Sequence, residues 1–313
     1  MNKKLALGID VGGTNSVFGL TDQHGNIFFE ESISTEDCST PEDLVEKIYQ
    51  RIKDIGQVNN ILGIGIGAPN GNFFSGTIEF APNLPWKGII PLARLFEFRF
   101  KVDAILTNDA NAAAIGEMIY GAAKDLKDFV TITLGTGLGS GIIVDGKLVY
   151  GHDGFAGEYG HIRVVNDGRS CGCGRKGCLE TYASATGVVR SIEELESEHK
   201  SNSKIVSMSN PNAQDVFRVA QEGDKFCKEI IEFTAEKLGS SLADFACFSS
   251  PKAFVLFGGI AQSGEVFAKM VKKYMEASML KIYQDKVEIR VSELHDKNAA
   301  VLGASSLVWN QKG

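Results

Sequence analysis

Between His161 and Glu180 the chain reads HIRVVNDGRSCGCGRKGCLE. Cys171, Cys173 and Cys178 are spaced C-x-C-x4-C, and His161 lies ten positions before the first of them, shortly after Glu158. Three thiolates and one imidazole match the ligand number and softness that tetrahedral Zn2+ prefers. Glu158 and Glu180 sit beside these ligands without being needed as ligands. The reading is a zinc staple that holds a loop presenting two carboxylate acceptors to a polar substrate. A purely structural zinc knuckle and a disulfide cluster are the other readings, although Cys171 and Cys173 are too close in sequence to bridge each other comfortably.

Glycine turns supply the second chemical signal. Leu5–Asp10 reads as an apolar strand, Val11-Gly12-Gly13-Thr14-Asn15 as a turn, and Ser16–Leu20 as the returning strand. Gly-Gly permits positive φ and lets backbone N–H groups converge on a phosphate. No Gly-Lys-Ser/Thr follows, so the turn is not a Walker loop, and a strand follows where a dinucleotide fingerprint requires a helix. The unit recurs as Phe129–Leu134, the turn Gly135-Thr136-Gly137-Leu138-Gly139-Ser140, and Gly141–Val144. In both copies a third strand follows a polar turn, at Gly25–Phe29 and Asp145–Val149. This repetition predicts a duplicated domain with two phosphate turns gripping a polyphosphate from both sides.

Near the C-terminus Ala253–Phe257 reads as a buried strand, Gly258-Gly259 as a turn, and Ser263–Ala277 as an amphipathic helix. That order suits close approach of a planar adenosine ring, or marks a plain strand-to-helix corner. A short strand over Ala104–Thr107 leads into Asn108-Asp109 and a helix of small residues ending at Tyr120. Asp109 stands where an N-cap is expected, and a carboxylate at a strand end beside an amide also suits a general base. Asn83, Asn108, Asp109, Glu158 and Glu180 together give amides and carboxylates, the lining a polyhydroxy ligand needs, because each hydroxyl donates to one and accepts from the other.

The elements that must position these groups fit within 313 residues, of which 43% are hydrophobic. That length supports a full core and two domains. No signal peptide or apolar run of membrane-spanning length is evident. Cys38, Cys227 and Cys247 are scattered outside the cluster, a usage that predicts a reducing cytoplasm. The net charge of -7 disfavours non-specific nucleic-acid binding.

These residues together resemble the ROK family of sugar kinases, within the actin-like ATPase superfamily. The likeness runs nearly end to end. It is carried by Asp10-Val11-Gly12-Gly13-Thr14, Asn108-Asp109-Ala110-Asn111, Leu134–Gly139, Gly157-Glu158-Tyr159-Gly160-His161, Cys171–Glu180 and Phe257-Gly258-Gly259-Ile260. The sequence departs from the family pattern at Ala68-Pro69-Asn70-Gly71, where many relatives have Pro-Gly.

The resemblance implies an α/β chain of two actin-like, ribonuclease H-like domains with a cleft between them and a zinc-bound loop. The small domain would be residues 1–108 with 298–313, and the large domain 109–297. It implies that Asp109 is the base that deprotonates the attacking hydroxyl. Asn83, Asn108, Glu158, His161 and Glu180 would contact sugar, with His161 using its second ring nitrogen to ligate zinc beside Cys171, Cys173 and Cys178. Gly12, Gly13, Thr14, Gly135, Thr136 and Gly137 would hold the phosphates of ATP, Gly258 and Gly259 would line adenosine, and Asp10 would orient Mg2+ through water.

The implied activity is ATP-dependent phosphorylation of a hexose, glucose at O6 first, then an N-acetylhexosamine, mannose, fructose or allose. A homodimer without nucleic-acid or membrane partners is expected. A sugar-responsive transcriptional regulator and a non-catalytic sugar sensor are the rivals from other classes. The first expects a helix-turn-helix module for which a strand beginning at Leu5 leaves no room. The second is disfavoured by Asp109 and the two turns.

Overall fold

The computed structural model describes residues 4–294 and 296–312. Packing divides the chain into two compact units, Met1–Asp125 with Lys147–Gly157 and Glu293–Gly313, and Leu126–Gly146 with Glu158–Ser292. The boundary expected after residue 108 thus differs from the packing boundary after Asp125.

The first unit is built on β1 (Leu5–Val11), β2 (Asn15–Thr21), β3 (Ile27–Ser34), β4 (Ile61–Ala68) and β8 (Ala104–Asn108). Their order is β3-β2-β1-β4-β8. β1 and β2 pair antiparallel across the glycine turn, whereas β1–β4 and β4–β8 are parallel. Parallel strands need crossovers, which are supplied by α1 (Pro41–Asp54) and by α2 (Leu92–Phe100) with the small sheet that precedes it. α1 starts at a reciprocal Thr40–Asp43 capping box with Pro41 in the first turn, and buries Leu44, Val45, Ile48 and Ile52. The small sheet comprises β5 (Gly71–Asn72), β6 (Thr77–Glu79) and β7 (Ile89–Ile90). At the departure from the family pattern, Asn70 takes φ +51° and its side chain donates to the Glu79 carbonyl. Asparagine tolerates that left-handed conformation.

α3 (Asp109–Ile119) and α9 (Asp296–Lys312) pack together, and α9 also lies on β1 and β4. This explains why α3 belongs to the first unit. The close packing needs small residues: a Cβ at Gly65 would sit 1.9 Å from the Ala304 carbonyl oxygen, and one at Gly116 would sit 2.9 Å from Gly303 Cα.

In the second unit β9 (Phe129–Leu134) and β10 (Leu138–Val144) form the repeated hairpin. The turn is shorter than expected, because strand pairing resumes at Leu138↔Leu134 rather than at Gly141. The third strand of this copy, β11, is reduced to Lys147–Leu148. β12 (Ala253–Phe257) pairs parallel to β9 and to β13 (Glu288–Val291). The order β10-β9-β12 therefore repeats β2-β1-β4, which supports the duplication. α4 (Glu180–Ala183), α5 (Ala185–Glu194), α6 (Ala213–Gln221), α7 (Lys225–Ser249) and α8 (Glu265–Ser278) belong to this unit. α8 starts at Glu265, two residues beyond the expected Ser263. Among the described residues no helix is long and apolar enough to cross a membrane.

Candidate active site

In the first unit the parallel registers Asp10↔Gly67 and Ala68↔Asn108 align the carboxyl ends of β1, β4 and β8. Open α/β sheets bind ligands at that end. Gly67 leaves room between two acids: a Cβ there would lie 3.7 Å from Asp10 Oδ1 and 3.6 Å from Asp109 Cα. Burial first, and then the charge of Asp109, raises the Asp10 carboxyl to about 7. Burial likewise raises the pKa of Asp109, against a lowering hydrogen bond from the Ala110 backbone. Asp109 is nevertheless accessible to solvent, so water limits that rise below what full enclosure would impose.

The N-cap expected at Asp109 lies instead at Asn108, whose Oδ1 accepts the Ala110 N–H at 2.8 Å. The cap and the acid are thus separate residues. Asp109 Oδ1 accepts the same N–H at 2.8 Å, as the first residue of α3 rather than its cap. Near them the Gly12 N–H donates to the Asn15 carbonyl at 3.1 Å, closing the first glycine turn. A Cβ at Gly13 would stand 2.4 Å from the Asn83 carbonyl oxygen, so the turn lies directly on the Asn83 loop. Buried Trp86 anchors that loop by donating to the Cys38 carbonyl at 2.9 Å. Thr14 is exposed and donates to Glu36 Oε1 at 3.4 Å.

In the second unit His161, Cys171, Cys173 and Cys178 converge, with one donor atom of each within 4.8 Å of all the others. A zinc tetrahedron with Zn–S bonds of about 2.3 Å separates its sulfurs by about 3.8 Å. Cys173 Sγ and Cys178 Sγ are 3.7 Å apart, and Cys171 Sγ is 3.7 Å from His161 Nδ1. The disulfide reading fails: these cysteines are free, and a bridge would need sulfurs about 2.05 Å apart. The donor set and its spacing fit Zn2+. His161 turns Nδ1 to this cluster and Nε2 toward Glu158, 3.9 Å away.

Short-range pairing shapes the knuckle. Arg163 and Ser170 bridge antiparallel to Cys178 and Lys176, and Arg175 donates to the His161 carbonyl. One supporting residue escaped the sequence reading. Arg169 is buried and donates to the Thr181 and Gly187 carbonyls at 2.7 and 3.1 Å, to Ser191 Oγ at 2.9 Å and to Glu194 at 2.7 Å. It fastens the knuckle to α4 and α5. Its partners lie 12 to 25 residues away in the chain, so no local pattern announces them.

Glu180 connects the knuckle to the second glycine turn. Its Oε2 accepts the Leu138 N–H at 3.1 Å, and Oε1 lies 3.6 Å from Cys171 Sγ. The turn closes through the Gly135 N–H and Gly137 carbonyl, and the Ala185 N–H donates to the Gly135 carbonyl at 2.9 Å. Beside it is a cavity of about 260 Å3 lined by Leu134, Thr136, Ala185, Gln214, Phe217 and Gly259 among others. Gly258 has φ +97° and Gly259 faces open space. The expected adenosine residue Gly259 and the phosphate residues Gly135 and Thr136 thus share one cavity. The contribution of α6, through Gln214 and Phe217, was not legible: an Asn212–Asp215 capping box marks where α6 starts, but not what it faces.

The ROK family profile matches residues 6–311. The chain is 34% identical to a glucokinase of Halalkalibacterium halodurans, over 100% of this chain and 97% of that protein. It is 31% identical to a xylose repressor of Caldicellulosiruptor bescii, over 96% of this chain and 77% of the repressor. Among solved structures, a ROK family glucokinase from Streptomyces griseus in complex with glucose and AMPPNP superposes with a TM-score of 0.82 at 33% identity. That match covers 97% of this chain and 98% of the other.

Proposed function

Because this chain belongs to the ROK family, we propose that it is an ATP-dependent hexose kinase that phosphorylates glucose at O6. The observation that carries the reading is Asp109: a solvent-accessible carboxylate, relieved of capping by Asn108, beside a second acid and a glycine turn within a chain alignable end to end with glucokinases. Glucose is preferred over the other hexoses because two of the three relatives named above are glucokinases and one of these was solved with glucose.

Phosphoryl transfer runs through a loose transition state, so the protein mainly positions groups and stabilises charge. In this reading Asp109 accepts the proton of the O6 hydroxyl as that oxygen attacks the terminal phosphorus of ATP, whose bond to the bridging oxygen breaks to release ADP. Its raised pKa makes it a stronger base than an ordinary carboxylate, provided that it is ionised. Asn83, Asn108, Glu158, His161 and Glu180 are the sugar contacts in this reading. Backbone N–H groups of the turns at Gly12–Thr14 and Gly135–Gly137 hold phosphate oxygens. The half-buried Asp10, whose charge is disfavoured by burial and then by Asp109, suits a hydrated Mg2+ that would neutralise phosphate charge. His161, Cys171, Cys173 and Cys178 would hold Zn2+, which stiffens the knuckle carrying the sugar contacts.

The likeness to xylose repressors supports one rival, sugar binding without turnover. ADP release measured with Mg-ATP across glucose, mannose, fructose, allose, N-acetylglucosamine and N-acetylmannosamine separates the two. Strong stimulation by glucose is expected. A preference for another sugar would replace the substrate, and sugar binding without stimulation would favour the sensor.

A further inference from the structure

Glu180 has two duties in the second unit. As a sugar contact it would serve the acceptor, yet its Oε2 already accepts the N–H of Leu138, the residue that ends the glycine turn, at 3.1 Å. The turn is shaped around this carboxylate. A Cβ at Gly137 would fall 2.4 Å from Glu180 Oε2, whereas one at Gly135 would meet nothing within 4 Å. Gly135 therefore leaves space on the outside of the turn, where a phosphate can approach, and Gly137 leaves space for Glu180. Two further bonds join the same segments, from the Ala185 N–H to the Gly135 carbonyl at 2.9 Å and from the Thr186 hydroxyl to the Thr136 carbonyl. The chain from Glu180 to Thr186 thus spans from the cysteine knuckle, 3.6 Å from Glu180 Oε1 at Cys171 Sγ, to the whole phosphate turn.

We infer that Glu180 is a positioning residue for the phosphate turn as well as a sugar contact, so that acceptor and nucleotide affinities are coupled through one carboxylate. The inference rests on the proposed sugar-kinase reading. A hydroxyl donor that fixes Glu180 lowers the freedom of the Leu138 N–H and of the turn it terminates. A filled turn in turn holds Glu180 in place for the sugar. Linkage makes the two effects equal: the factor by which glucose tightens nucleotide is the factor by which nucleotide tightens glucose.

The test is calorimetric titration of the zinc-loaded full chain with glucose and with Mg-AMPPNP, each alone and in the presence of the other. In the unaltered protein each ligand should tighten the other by about tenfold. Gly137→Ala displaces the carboxylate from inside the turn, on a residue with no place in the sugar site. Its glucose Kd without nucleotide should rise by about tenfold. Glu180→Asp keeps the charge but draws it away from Leu138, and its coupling factor should fall toward one. This variant carries the test if Gly137→Ala does not fold. Unchanged glucose affinity in Gly137→Ala, or full coupling in Glu180→Asp, overturns the inference and leaves the kinase reading intact. An unaltered protein that binds no hexose overturns both.

Discussion

Each unit folds a glycine turn between antiparallel strands, and each turn is braced by a residue expected to contact sugar, but by different atoms. Gly13 lies 2.4 Å, at the position of a Cβ, from the backbone oxygen of Asn83, in a loop that Trp86 pins to the core. Gly137 lies at the same 2.4 Å from the side-chain oxygen of Glu180. A backbone brace is fixed by the fold, whereas a carboxylate brace has rotamers and can respond to a ligand. The first unit also carries the acid pair Asp10 and Asp109, and the second the metal-ligand cluster. In the proposed reading the base thus stands on a rigid frame and the metal cluster beside an adjustable brace.

The largest effect that would break this division is on turnover. Asp109→Asn should retain glucose and nucleotide binding and lose about 10²–10⁴ in kcat, read by steady-state ADP release beside calorimetry. Near-normal turnover would remove the base from the first unit and the comparison with it.

Stripping the metal should act on the other unit. Chelation, or Cys173→Ser, should weaken glucose binding and speed hydrogen exchange over residues 158–183 while leaving exchange in β1 and β4 unchanged. Zinc binding and local folding are linked, because no regular helix or strand spans the segment between His161 and Glu180 that carries the cysteines. Unaltered sugar affinity after metal loss would make the knuckle a remote staple.

A smaller effect separates the two braces. Gly13→Ala drives a Cβ into backbone and should cost about 1–3 kcal/mol in denaturant unfolding. Gly137→Ala meets the mobile end of one side chain and should cost less. Equal losses would show the second brace to be as rigid as the first.

How much of this was legible follows the range of the interactions. The hairpins and the cysteine spacing are written in neighbouring residues: the strands Phe129–Leu134 and Ala253–Phe257 fall where the sequence places them. The contacts that give the site its geometry are not local. Leu138 to Glu180 spans 42 residues, and Arg169 meets α5 through Ser191, 22 residues on. The capping of α3 by Asn108 instead of Asp109 was missed for another reason. Both residues are good caps, and only the strand ending at Asn108 fixes which one has extended backbone, at φ -61° and ψ 147°.

The smallest expected effect concerns Asp10, and it tests whether the rigid frame stores electrostatic strain. Its carboxyl titrates near 7 in the fold, against 3.8 ordinarily, because burial and the Asp109 charge disfavour ionisation. The native state therefore holds this proton more tightly than the unfolded chain. The associated stability is fully present below about pH 4 and is lost as pH rises through about 7. Asp10→Asn removes the penalty where it is greatest. Without ligands the variant should melt a few degrees, about 2–4 °C, above the unaltered protein at pH 8, and the gain should vanish near pH 4. Saturating Mg-ATP should shrink the gain at pH 8, because a cation near Asp10 offsets the same repulsion. A melting temperature unaffected by the substitution at pH 8 would mean that solvent already relieves the pair, and the first unit would then be rigid without being strained.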